Sequence, residues 1–143
     1  MTPWDFPTPH VVTLEVLADD IDAYDHVNNS VYLSWLDQAA WSHSAALGLT
    51  LQQCVAMRRG MAAHRTEIDY LRAALLGDRV LVGTWIVAAD AKLRVERRFQ
   101  ARRAADGETL ARARIDYVCI NLDSGRAARM PESFQRSYLL TNS

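Results

Sequence analysis

The chain has 143 residues, half of them hydrophobic and 23% charged, with a formal net charge of −1. That length sustains one domain with a real core and excludes two comfortable ones; no run approaches the roughly 20 apolar residues of a membrane helix, and MTPWDFPTPH has no signal-peptide character. A soluble, cytoplasmic protein is expected, without nucleic-acid binding, since no basic stretch is interleaved with aromatics.

Residues 10–18, HVVTLEVLA, alternate Val12, Leu14 and Val16 with Thr13 and Glu15, the period of a strand with one buried face. An acidic loop follows. From about Asn29 to Leu47 the period changes: Tyr32, Leu36, Ala39, His43 and Leu47 fall at helical spacing, Trp35 flanks them, and Gly48 supplies a stop. Asn28 or Asn29 is the expected cap, because its amide oxygen can accept an orphan N–H of the first turn.

Everything later reads as strands. MAAHRTEIDYL alternates around His64, Thr66, Ile68 and Tyr70; RVLVGTWIVA is apolar on both faces and reads as central; KLRVERRFQARR sets Leu93, Val95 and Phe99 against Arg94, Glu96 and Arg98. After a turn at 105–108, TLARARIDYVCIN makes a long last strand. The core is expected over about 10–134 with 135–143 as a C-terminal tail, the segment from Pro131 to Ser143 reading as loose with room for a short helical turn. Cys54 and Cys119 have neither the number nor the spacing of a disulfide framework or a zinc site.

One strand, one long helix and four more strands make an α+β arrangement, an antiparallel sheet wrapped over a single helix. One helix cannot cover both faces of five strands, and free edges invite pairing, so a homo-oligomer is expected. Charge is uneven along the chain. Every Lys and Arg lies at or after Arg58, while residues 1–57 carry seven acids. An anionic ligand held by the basic part fits this, and so does a merely solvated, Arg-rich strand surface.

Four aspartates, Asp19, Asp20, Asp22 and Asp25, crowd the loop ahead of the helix. A single Asp there is a common stabilising placement worth up to about 1 kcal/mol. Four repel one another unless solvent, a cation or function separates them. A calcium loop fails in detail: counted from Asp20, the fifth position is Tyr24, the glycine position is Asp25 and the terminal Glu position is Val31. An acid beside amide donors suggests acyl transfer. A helix N-terminus can hold a developing oxyanion while a neighbouring carboxylate activates water or attacks a carbonyl.

The stretch DIDAYDHVNNSVYLSWLDQAAW, followed by HRTEIDYLRAALLGD and RARIDYVCINLDSGRA, resembles the hotdog-fold acyl-CoA thioesterases of the 4-hydroxybenzoyl-CoA thioesterase type. Within them it is most similar to the bacterial long-chain acyl-CoA thioesterases with D-x-x-x-H-V-N-N, over about Val12 to Phe134. The resemblance implies a hotdog fold, with Asp22 as catalytic acid, the Asn29 backbone N–H as oxyanion donor and His26 as a contributor. It further implies a site shared by two copies in a homodimer or homotetramer, the second lending Thr66 and Glu67. Arg72, Lys92 and Arg94 become the candidates for the CoA phosphates, and Tyr32, with Leu36 and Trp35, for the acyl chain; core packing explains those three equally well. No metal or redox cofactor is implied. One departure stands out: many relatives carry Gly before the His, where this chain has Asp25, so backbone freedom differs there. A non-hydrolytic acyl-CoA binder on the same fold, or a hydratase, is the rival reading.

Overall fold

In the computed structural model, which describes residues 3–140, the expected long helix runs Asn29–Ala46 as α1. Asn28 caps it, its Oδ1 accepting the Ser30 N–H at 3.0 Å, and Gly48 ends it at φ +98°, a conformation that favours glycine. Tyr32, Trp35, Leu36, Ala39, Ala40 and His43 form its buried face.

That face lies on five antiparallel strands: β1 (His10–Glu15), β2 (Arg59–Tyr70), β3 (Arg79–Ala89), β4 (Arg94–Arg103) and β5 (Thr109–Asn121), in the order β1-β3-β4-β5-β2. The hotdog architecture expected above is the one observed. Val80 and Val82 of β3, Phe99 of β4 and Leu110 and Ile115 of β5 meet α1 in the main core. Burying each such side chain contributes about 1.5–3 kcal/mol, which is what seats the helix on the sheet. β1 contributes Val12 and Leu14, as its alternation predicts, but ends at Glu15 because a 3-10 turn follows at Ala18–Asp20. In β2 the register slips between Ala63 and Arg65, leaving His64 as an extra residue.

One helix corrects the expectation of strands after α1, and a second is the short helical turn read for the segment after Pro131. α2 (Leu51–Met57) starts with a capping box: Thr50 Oγ1 accepts the Gln53 N–H at 3.2 Å, and Gln53 Oε1 accepts the Thr50 N–H at 2.7 Å. α3 (Glu132–Ser137) buries Phe134 in a second cluster with Leu49, Cys54, Val95, Cys119 and Met130. Tyr138, inside the stretch read as a tail, is 7% exposed and shares a hydrogen bond with Ser44 Oγ at 2.9 Å. The end of that stretch, 141–143, lies outside the described residues. Both cysteines are free and buried.

β3 is apolar on both faces because both are covered. Its outer face carries Trp85, which Trp4 and Phe6 meet edge-on at 5.9 and 5.4 Å and whose Nε1 donates to the Pro7 carbonyl at 2.9 Å. Asp5 anchors this N-terminal strap by a two-pronged ion pair with Arg112 at 2.7 and 3.0 Å. Among the described residues no helix is long and apolar enough to cross a membrane.

Candidate active site

The loop between β1 and α1 is tightly tied. Asp20 Oδ2 accepts the Leu17 N–H at 2.9 Å, and Ile21 pairs with Val27 in an isolated antiparallel bridge. Inside the bridge the Asp22 N–H donates to the His26 carbonyl at 2.9 Å, and the Asp25 N–H to the Asp22 carbonyl at 3.1 Å. Closing so short a loop sends Asp25 to φ +61°, the left-handed region that a glycine would enter without strain. Val27 is buried and its N–H donates to the Ala74 carbonyl at 3.0 Å, so the loop is docked on its far side as well. The result is a half-buried Asp22 whose backbone is pinned at both ends. Its Oδ1 accepts the Tyr24 N–H at 2.9 Å.

Beyond the loop, His26, Asn29, Tyr32, Tyr70, Leu71 and Arg72 line a cleft of about 170 Å³. Asn29 is the first residue of α1, and its N–H has no acceptor among the described residues. Such an amide, at the positive end of an eighteen-residue helix, is a ready donor to an oxyanion. Tyr70 holds the helix start in place: its hydroxyl donates to the Asn29 carbonyl at 3.2 Å, and its ring meets Tyr32 edge-on at 5.2 Å. Tyr32 is buried and its hydroxyl accepts the Ala74 N–H at 3.0 Å. Burial pushes its pKa above the ordinary phenol value, so it is a neutral group at physiological pH. Arg72 sits at the rim in an exposed ion pair with Glu108 at 3.2 Å. No group of three His, Cys, Asp or Glu is placed to hold a metal ion among the described residues.

The structure thus brings His26, Asn29, Tyr32 and Arg72 together in one cleft; Asp22 does not line it and is tied to it only through its backbone bond to His26. Thr66, Glu67, Lys92 and Arg94 do not line that cleft within one chain. Thr66 and Glu67 lie exposed on edge strand β2, Glu67 paired with Arg65 at 2.6 Å. Lys92 lies in the β3–β4 turn and Arg94 opens β4, and Asp90 Oδ1 accepts the amides of Lys92, Leu93 and Arg94 at 2.8, 2.8 and 2.9 Å. Sequence reasoning missed Tyr70 as a cleft residue. Its alternation with Ile68 marked a strand residue, and nothing local shows which carbonyl its hydroxyl reaches.

A family model described as the Thioesterase-like superfamily matches residues 16–137. Among characterised relatives, the chain is similar to the long-chain acyl-CoA thioesterase FadM of Escherichia coli (strain K12). The two are 27% identical over 118 residues, covering 80% of this chain and 85% of FadM. Among solved structures it is similar to Slr0204, a 1,4-dihydroxy-2-naphthoyl-CoA thioesterase from Synechocystis, at TM-score 0.82 and 26% identity, covering 92% of this chain and 96% of that one. The Staphylococcus aureus protein SAV2348, solved in complex with CoA, shares the fold at TM-score 0.83 and 22% identity, covering 91% of this chain and 81% of its own. The match over residues 16–137, on the hotdog fold these relatives share, shows that this chain belongs to the Thioesterase-like superfamily.

Proposed function

We propose that this protein hydrolyses the thioester of an acyl-CoA to the free acid and CoA. The thioester carbonyl lies in the cleft with its oxygen toward the Asn29 N–H, and Asp22 either takes a proton from water as that water attacks or adds to the carbon itself. The tetrahedral oxyanion is stabilised by the amide and the helix end. Collapse breaks the C–S bond, and the CoA thiolate leaves and is protonated; where Asp22 has added, water then hydrolyses the acyl–Asp22 anhydride to the free acid and restores the carboxylate. Two named relatives, FadM and Slr0204, act on acyl-CoA thioesters, which supports this substrate class.

The single observation that carries the reading is the Asn29 N–H, without an acceptor among the described residues at the start of a long helix, in a residue that lines a cleft together with His26, to which Asp22 is tied. In the full site a second copy pairs along the free edge of β2 and presents Thr66 and Glu67. Arg72, Lys92 and Arg94 meet the CoA phosphates, and His26 lines the entrance.

The test is thiol release from a panel of acyl-CoAs by the native protein and by Asp22→Asn, with acyl-CoA binding measured in parallel. A fall in kcat on the order of a hundredfold or more with binding retained is expected. Undiminished turnover in the variant removes Asp22 from the mechanism, and binding without turnover by the native protein makes it an acyl-CoA binder instead.

A further inference from the structure

We propose that a chamber between α1 and the inner face of β4 and β5 receives a carboxylate at the far end of the acyl group, held by Arg97 and Tyr117. The inference rests on the acyl-CoA reading above and narrows its substrate class.

Arg97 is 2% exposed, in the inward register between Val95 and Phe99. Its Nη1 donates to His43 Nδ1 at 2.7 Å, its Nη2 donates to Ser44 Oγ at 3.2 Å, and its guanidinium carbon stands 5.9 Å from the centre of the Tyr138 ring. Every one of these neighbours is neutral. Among the described residues no carboxylate lies within ion-pair distance of it. A guanidinium stays charged inside a protein, and a buried cation without a counter-charge is costly. Three neutral contacts also leave part of its donor set unused.

Beside it, the Tyr117 hydroxyl is fully buried and has no hydrogen-bond partner among the described residues. Arg97 and Tyr117 open on the same cavity of about 50 Å³, walled on its apolar side by Trp41, Met61 and Val95. That space accommodates a carboxylate and is too small for a whole acyl chain. Waters, each needing about 10–15 Å³ of such space, would satisfy the tyrosine but leave the charge uncompensated. A carboxylate answers both: its two oxygens take N–H donors from the guanidinium and the O–H of the phenol. Asp37, exposed, lines the same cavity and its charge acts on Tyr117, so it opposes an anion there, against the full buried charge of Arg97 that favours one.

The distance sets the length. Asn29 and Ala40 lie on the same helix, and the rise between them is about 17 Å. A chain running beside α1 from the cleft to the chamber therefore needs on the order of a dozen carbons. If a second copy supplies the thioester instead, the optimum falls at a shorter length, and the same panel reads it.

The experiment compares matched acyl-CoA pairs of about six to about sixteen carbons, one ending in methyl and the other in carboxylate. At the best length kcat/KM favours the carboxylate-ended member by about tenfold or more, and Tyr117→Phe, which removes one oxygen and keeps the ring, cuts that ratio about fivefold. Arg97→Met abolishes the ratio; should that variant not fold, Tyr117→Phe still decides. Preference for the methyl-ended member at every length, or a ratio unmoved by Tyr117→Phe, overturns the proposal while leaving the thioesterase reading intact. If no thioester is cleaved, calorimetry with a free dicarboxylic acid, the matched monocarboxylic acid and sodium chloride reads the chamber directly. Heat from the diacid that Tyr117→Phe removes supports it. Binding of chloride alone, or of none of the three, overturns it.

Discussion

Arg97 Nη1 and His43 Nδ1 are hydrogen-bonded at 2.7 Å in the core, with the His10 ring stacked on that of His43 at 4.9 Å. An arginine can only donate, so Nδ1 must accept, and the imidazole is held neutral. Burial above all, then the Arg97 charge and His10, pulls the His43 pKa down to about 4. The unfolded chain takes up this proton below about pH 6.5, the folded chain not until much lower pH. Stability is therefore present above pH 6.5 and is lost as pH falls toward 4, by at most roughly 3 kcal/mol. Urea unfolding at pH 7, 6 and 5 should show His43→Gln with a shallower loss than the native protein; equal slopes would remove His43 as the cause.

Tyr32→Phe removes the acceptor of the Ala74 N–H, and Ala74 is fully buried. An amide left without a partner in the core costs about 1–3 kcal/mol. The lower urea midpoint should come with faster hydrogen exchange at Ala74, and unchanged exchange there would contradict the assignment.

Asp25 occupies φ +61° between Asp22 and His26. Asp tolerates that conformation better than most residues, and a β-branched one does not. Asp25→Val should cost about 1–2 kcal/mol and displace Asp22, lowering kcat for thiol release, whereas Asp25→Gly should keep both stability and rate near native. A valine variant with native stability and rate would show that the loop geometry is not what positions the carboxylate.

A Cβ on Gly83 would stand 2.8 Å from the Trp4 ring and 3.2 Å from Pro9 Cβ. Gly83→Ala therefore lifts the indole off β3, and because that contact lies on the face of the sheet opposite α1, thiol release should change little. The readouts are a red shift in tryptophan emission and earlier proteolytic cutting before residue 10. A native emission spectrum in this variant would mean that Trp4 rests elsewhere.

What could be read from the sequence follows the reach of each interaction. α1 and its Asn28 cap are legible because eighteen residues keep one period and the cap acts on a neighbour two residues on. α2 has seven residues, too few turns for a period, and α3 places one apolar residue, Phe134, among polar ones. Arg97 was passed over because a charge in an Arg-rich strand reads as solvent-facing, although its place between Val95 and Phe99 already puts it on the inward side. In the site, Asp22, His26 and Asn29 stand in one short stretch. Tyr70 joins them from 41 residues away, and Tyr117 meets α1 only through the sheet, so neither leaves a local trace.

The indoles of Trp4 and Trp85, with the Asp5–Arg112 clamp beside them, roof the convex side of β3, β4 and β5. Two such molecules cannot stack back to back with their strands in flat contact unless each first peels away its own amino-terminal segment. A second copy laid on that face would meet indole rings rather than bare strands.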